Sequence, residues 1–189
     1  MRIIGGQFKG SGLYIPESKD TRPLKDLVRE SIFNLLFHSK KFIFEIENSN
    51  ILDLYAGSGS FGLECLSRSA KFVCFVESKQ LTFETLEKNI EKLRIKKKTQ
   101  TIFYDVFKAI ERDGIINTNF DLIFLDPPYI NKDIEKLIEI IFKKNLLKKN
   151  GIIILHRKKD LKEKYPNYFN ILDERIYGIS KIIFGKLST

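Results

Sequence analysis

From position 51 onward, two hydrophobic rhythms alternate along this chain. Short apolar runs at residues 51–54, 72–76, 101–104, 122–125 and 152–155 predict strands. Segments with helical spacing lie between them, at 61–68, 81–93 and 134–142; in the second, Leu86, Ile90 and Leu93 share one face. Brief apolar strands crossed by helices predict a parallel, doubly wound α/β sheet covered on both faces. A Lys-rich stretch near 158–164 is expected to be helical. Residues 168–175 and 179–184 then follow with no helix between them, joined at Tyr177-Gly178, which predicts an antiparallel hairpin at one edge.

The first 40 residues follow a different pattern. Ile4, Phe8, Leu13 and Ile15 are interspersed with Gly5, Gly6, Gly10 and Gly12, as in one or two short strands with turns rather than a core element. Thr21-Arg22-Pro23 opens a helix, since proline suits the first turn, and Leu24, Leu27, Val28, Ile32, Leu35 and Leu36 carry it to about His38. Arg22, Lys25 and Arg29 recur at steps of three and four on another face. The expected organisation is an N-terminal arm, 1–40, and an α/β domain, 41–189.

Composition narrows the function classes. A chain of 189 residues, 43% hydrophobic and 30% charged, has ordinary globular usage and room for one sizeable core. The longest apolar runs fall well short of a membrane span, and the opening residues lack the apolar run of a secretory signal. Two cysteines, Cys65 and Cys74, make neither a disulfide framework nor a zinc spacing, so no metal is expected and both read as core residues in a cytoplasmic protein. Thirty-three Lys and Arg against 24 Asp and Glu give a net charge of +9, which suits a polyanionic partner but also describes a solvated, Lys-rich surface.

Chemistry concentrates in two segments. Asp53-Leu54-Tyr55-Ala56-Gly57-Ser58-Gly59-Ser60-Phe61-Gly62 places G-x-G-x-x-G between a strand and a helix, where glycines allow a tight turn beside a ligand. That motif alone also marks dinucleotide sites and plain structural turns. Asp53 changes the reading, because a carboxylate there repels a pyrophosphate and suits the ammonium of S-adenosylmethionine. Glu77 follows the second strand, where an acid can hold ribose hydroxyls, and Asp105 follows the third, positioned for an adenine amine. The candidate cofactor residues are Asp53, Gly57, Gly59, Glu77 and Asp105.

The second segment, Asp126-Pro127-Pro128-Tyr129, directly follows an apolar strand. Two prolines make a rigid loop in any case. The chemical reading is that an exocyclic base amine has its lone pair delocalised into the ring. Asp126 and the Pro127 carbonyl can each accept one of its N–H groups and turn the lone pair toward a methyl donor, while Tyr129 offers a stacking face. Asp126 or water then takes the released proton. His156, at the end of the fifth strand, is expected to be solvated.

Together these motifs resemble the class I S-adenosylmethionine-dependent methyltransferases that act on amino groups. The opening Arg2-Ile3-Ile4-Gly5-Gly6, then Thr21-Arg22-Pro23, then Val28-Arg29-Glu30-Ser31-Ile32-Phe33-Asn34 resemble the RsmD family, and residues 53–68, 120–129 and Tyr177-Gly178 continue the likeness over nearly the whole chain. The resemblance implies a Rossmann-like seven-stranded sheet with its last strand antiparallel. It implies methyl transfer from S-adenosylmethionine to the N2 amine of a guanine in bacterial 16S ribosomal RNA, free or within the assembling small subunit. Catalysis would rest on Asp126, Pro127, Pro128 and Tyr129, and the arm would face RNA through Arg2, Lys9, Arg22, Lys25 and Arg29. The family's fifth strand commonly ends in glutamate, whereas this chain has His156-Arg157. A DNA adenine-N6 or cytosine-N4 methyltransferase, a methyltransferase of another RNA and a non-catalytic RNA-binding module remain alternatives at this level.

Overall fold

The computed structural model describes residues 1–16, 26–41 and 43–188. Seven strands form one sheet: β1 (Asn50–Leu54), β2 (Phe72–Glu77), β3 (Thr99–Phe103), β4 (Phe120–Leu125), β5 (Leu147–Lys158), β6 (Phe169–Tyr177) and β7 (Ser180–Leu187). Their spatial order is β3-β2-β1-β4-β5-β7-β6. The first five run parallel, whereas β7 pairs antiparallel with both β5 and β6. The expected hairpin is therefore present, with its antiparallel strand one place in from the edge. Helices are α1 (Asp26–His38), α2 (Ser60–Ser67), α3 (Gln80–Lys92), α4 (Val106–Glu111) and α5 (Ile134–Lys143).

Strand residues alternate between two cores. Ile51, Val73, Phe75, Leu122, Phe124, Ile152 and Ile154 pack on the face that also buries α2, while Leu52, Leu54, Cys74, Val76, Ile123, Leu125, Ile153 and Leu155 pack on the face under α4 and α5. This is the two-sided burial expected of parallel strands. Cys65 and Cys74 are buried as free thiols, and burial pushes the Cys74 thiol up to about 12.

Three expectations need correction. The first residues do join the core: Ile3 and Leu13 are buried in the same cluster as Phe33 of α1 and Phe61 of α2. Ile4 and Gly5 also donate their N–H groups to the Glu64 carboxylate, at 2.7 and 2.8 Å. Second, the 158–164 stretch is not helical; β5 extends to Lys158, and a turn with irregular backbone follows. Leu161 is its one apolar residue, so a helix there would have almost nothing to bury. Third, the apolar pattern gave no sign of α4, a six-residue helix whose start is fixed by the Asp105 side chain accepting from the Lys108 N–H at 3.1 Å. The Thr21-Arg22-Pro23 helix start lies outside the described residues.

Candidate active site

The sheet order reverses between β1 and β4, and the C-terminal ends of β1, β2 and β4 open there onto a cavity of about 550 Å³. Ligands of open α/β sheets bind at such a switch point, and the volume suits a nucleoside-sized molecule. Asp53, Gly57, Glu77, Asp105, Asp126, Pro127, Pro128 and Tyr129 all line it. Gly59 does not. Gly57 and Gly59 both have positive φ, 61° and 83°, and a side chain on Gly59 would run into Leu86 and Leu63 rather than into the cavity. Its requirement is thus the turn and the helix packing behind it.

The acids differ in how they are held. Glu77 accepts three backbone N–H groups, from Ser78 and Lys79 at 2.8 Å and from Gly57 at 2.9 Å, so this carboxylate shapes the glycine loop as well as facing the cavity. Asp53 is 1% exposed, on the sheet face where its neighbours are apolar. One oxygen accepts the Gly62 N–H at 3.0 Å; the other is buried with no partner. Burial raises its carboxyl well above the usual range, and the nearby Asp126 and Glu77 add to the effect. An orphaned carboxylate oxygen at a cavity wall is costly unless a cation meets it. Asp105 is exposed, and the oxygen that caps α4 leaves the rest of its carboxylate available. Between strand and loop, Tyr55 holds a left-handed backbone, φ 62°, uncommon for a tyrosine.

Across the cavity, the Asp126–Tyr129 loop is fastened by His156 and Arg157. His156 is buried, 6% exposed, and is not the solvated residue expected. Its Nδ1 lies 2.8 Å from Asp126 Oδ1, and its Nε2 lies 2.9 Å from Ser180 Oγ and 3.2 Å from Tyr129 Oη. Arg157, 1% exposed, points to the opposite sheet face and donates to the carbonyls of Pro127, Pro128 and Asn131 at 3.2, 3.1 and 2.6 Å, while Glu163 balances its charge at 2.6 Å. The Pro127 carbonyl therefore already serves Arg157 with one lone pair and keeps the other. A signal for His156 was present in the sequence: counting by twos from Leu122 and Ile152 puts Asp126 and His156 on the same sheet face.

The basic residues of the arm separate. Arg2 and Lys9 are exposed. Arg29 is fully buried and cannot face RNA, a correction with a plain cause: it stands three and four residues before Ile32 and Phe33, on the helix stripe that packs inward. Its guanidinium pairs with Asp26 at 3.0 Å, donates to the Arg2 carbonyl and lies 3.9 Å from Glu64, and burial lowers its pKa. Arg22 and Lys25 lie outside the described residues. Among the described residues no cluster of His, Cys, Asp and Glu could hold a metal ion, and no helix is long and apolar enough to cross a membrane.

Comparison with known proteins agrees with this layout. The family model described as conserved hypothetical protein 95 matches residues 1–186. Ribosomal RNA small subunit methyltransferase D of Haemophilus influenzae is 33% identical over 95% of this chain and 90% of its own length. The protein of the same name in Escherichia coli K12 is 34% identical over 80% of this chain and 68% of its own length. The solved structure of Escherichia coli yhhF superposes with a TM-score of 0.85 at 26% identity, covering 100% of this chain and 98% of that one. With its sheet, cavity and sequence matched along almost its full length, the chain belongs to the conserved hypothetical protein 95 family, the RsmD family of methyltransferases.

Proposed function

We propose that this protein transfers the methyl group of S-adenosylmethionine to the exocyclic N2 amine of a guanine in 16S ribosomal RNA. The observation that carries the reading is the pairing, on one cavity, of an orphaned buried carboxylate at Asp53 with the Asp126–Tyr129 loop. The residues fit the cofactor. Asp53 Oδ1 would receive an ammonium, relieving the charge that burial makes costly. Glu77 and Asp105 are available to ribose hydroxyls and an adenine amine, and Phe61, Phe107 and Phe124 supply apolar wall. When bound, the sulfonium supplies an electrophilic methyl group.

The remaining steps fall to the protein. Asp126 and the free lone pair of the Pro127 carbonyl accept the two N–H groups of the target amine and aim its nitrogen lone pair. Tyr129 stacks on the extracted base. Asp126 or a water takes the proton lost by the methylated amine. An RNA substrate is supported by the net charge of +9 and by the ribosomal RNA for which the relatives are named. Within this reading residues 1–40 contribute Arg2, Lys9, Arg22 and Lys25 to the RNA-facing side. The test is transfer of labelled methyl from S-adenosylmethionine to unmodified 16S RNA and to small subunits lacking the modification, followed by nucleoside chromatography. Label in N2-methylguanosine is expected; label in another nucleoside, or none in either substrate, would reject the assignment.

A further inference from the structure

We propose that His156 is a positioning residue for methyl transfer, holding the Asp126 carboxylate through Nδ1 and the Tyr129 hydroxyl through Nε2. The inference rests on the reading of Asp126 and Tyr129 as the groups that present the acceptor amine. Three elements converge on this one imidazole: the loop after β4 through Asp126 and Tyr129, β5 through His156 itself, and β7 through Ser180. A carboxylate can only accept, so the short Nδ1 contact to Asp126 places the ring proton on Nδ1. Nε2 is then shared by the Ser180 and Tyr129 hydroxyls, each of which can donate or accept. The result is a fixed direction for each group. Asp126 Oδ1 is committed to the ring, and Oδ2 is left for a substrate N–H. The Tyr129 ring meets the imidazole edge-on, with centroids 5.8 Å apart and planes at 79°, so its orientation is set by the same side chain.

Burial makes this more than a surface contact. His156 is 6% exposed while Asp126 keeps about a fifth of its side chain open to the cavity, so the rigid partner sits behind and the working carboxylate in front. Arg157, one residue on, holds the backbone of the same loop from the other sheet face. The two residues thus act on different parts of one loop, arginine fixing its main chain and histidine its functional side chains.

The test exploits the two ring nitrogens. In His156→Asn an amide N–H can occupy the place of Nδ1, and in His156→Gln the amide reaches the place of Nε2. Single-turnover methyl transfer should fall by about 10²-fold in His156→Ala, the scale of a slightly misplaced reacting group. His156→Asn should recover to within about threefold of wild type and His156→Gln should not, with cofactor affinity unchanged throughout. Equal rates in the Asn and Gln variants, or a wild-type rate in His156→Ala, would overturn the proposal, because a space-filling role does not distinguish the two amides. If His156→Ala fails to fold, the Asn and Gln pair decides alone. An arm independent of activity separates failure of this inference from failure of the wider reading. His38 and His156 are the chain's two histidines, and His38 is exposed, so ring ¹⁵N–¹H spectra resolve them. A fixed Nδ1–H tautomer for His156, lost in Asp126→Ala, is expected. Tautomeric averaging insensitive to Asp126→Ala would overturn the proposal even if wild-type protein methylates RNA, and a wild type that methylates nothing but shows the fixed tautomer would reject the substrate reading alone.

Discussion

The two walls of the cavity are built by opposite means. On the β1–β3 side, acids are held by the main chain: Glu77 gathers three backbone N–H groups, and Asp53 takes one and keeps an oxygen unpaired. On the β4–β5–β7 side, the Asp126–Tyr129 loop is held by side chains of the neighbouring strand β5, His156 and Arg157. A backbone-organised wall with an unpaired carboxyl oxygen suits a cationic ligand. A wall set by a side-chain network is made to fix directions. The first should govern affinity and the second rate.

Asp126→Ala breaks that division most severely. Single-turnover methyl transfer should fall on the order of 10²–10³-fold while cofactor affinity, read by calorimetry, stays within about twofold. A parallel loss of cofactor affinity would mean the walls are not separate in function. Asp53→Ala should give the converse, weakening S-adenosylmethionine binding by about 1–3 kcal/mol with little change in rate once cofactor saturates.

Which parts of these walls the sequence disclosed follows from how each is specified. Glycine loop, Asp53 and the Asp-Pro-Pro-Tyr segment are local strings, so spacing alone located them, and short continuous apolar runs marked the central strands of the sheet. Helix α4 escaped because a cap residue and one turn carry almost no periodicity. Arg29 misled because its charge outweighed its position on the apolar stripe of α1, and its partners Arg2 and Glu64 come from distant segments. His156 and Arg157 read as a loose basic pair because the loop groups they hold, at Asp126 and Pro127, lie 30 residues away and meet them only across the sheet.

Acidity sharpens the comparison further. Asp53 binds its proton more tightly in the folded chain than in the unfolded one, so its contribution to apo stability is present at low pH and is lost as pH rises through the raised value. An ammonium ligand favours the ionised form. Cofactor affinity should therefore rise with pH between the usual carboxylate range and that raised value, by at most about tenfold per unit, with proton release on binding. Asp53→Asn should abolish this dependence; calorimetry in buffers of different ionisation enthalpy reads it.

The smallest effect belongs to the exposed basic side chains near the N-terminus. Changing Arg2 and Lys9 to Gln should flatten the slope of log K for RNA against log salt by at most about 1.8 units, at roughly 0.7–0.9 per lost phosphate contact, and leave cofactor binding untouched. An unchanged slope would remove these two residues from the RNA-facing surface.

Nucleoside mass spectrometry of 16S ribosomal RNA, from cells with and without the gene, tests the central claim most directly. N2-methylguanosine should fall by one residue per small subunit in the deletion strain, return with the wild-type gene and fail to return with Asp126→Ala. An unchanged N2-methylguanosine content in the deletion strain would contradict the account.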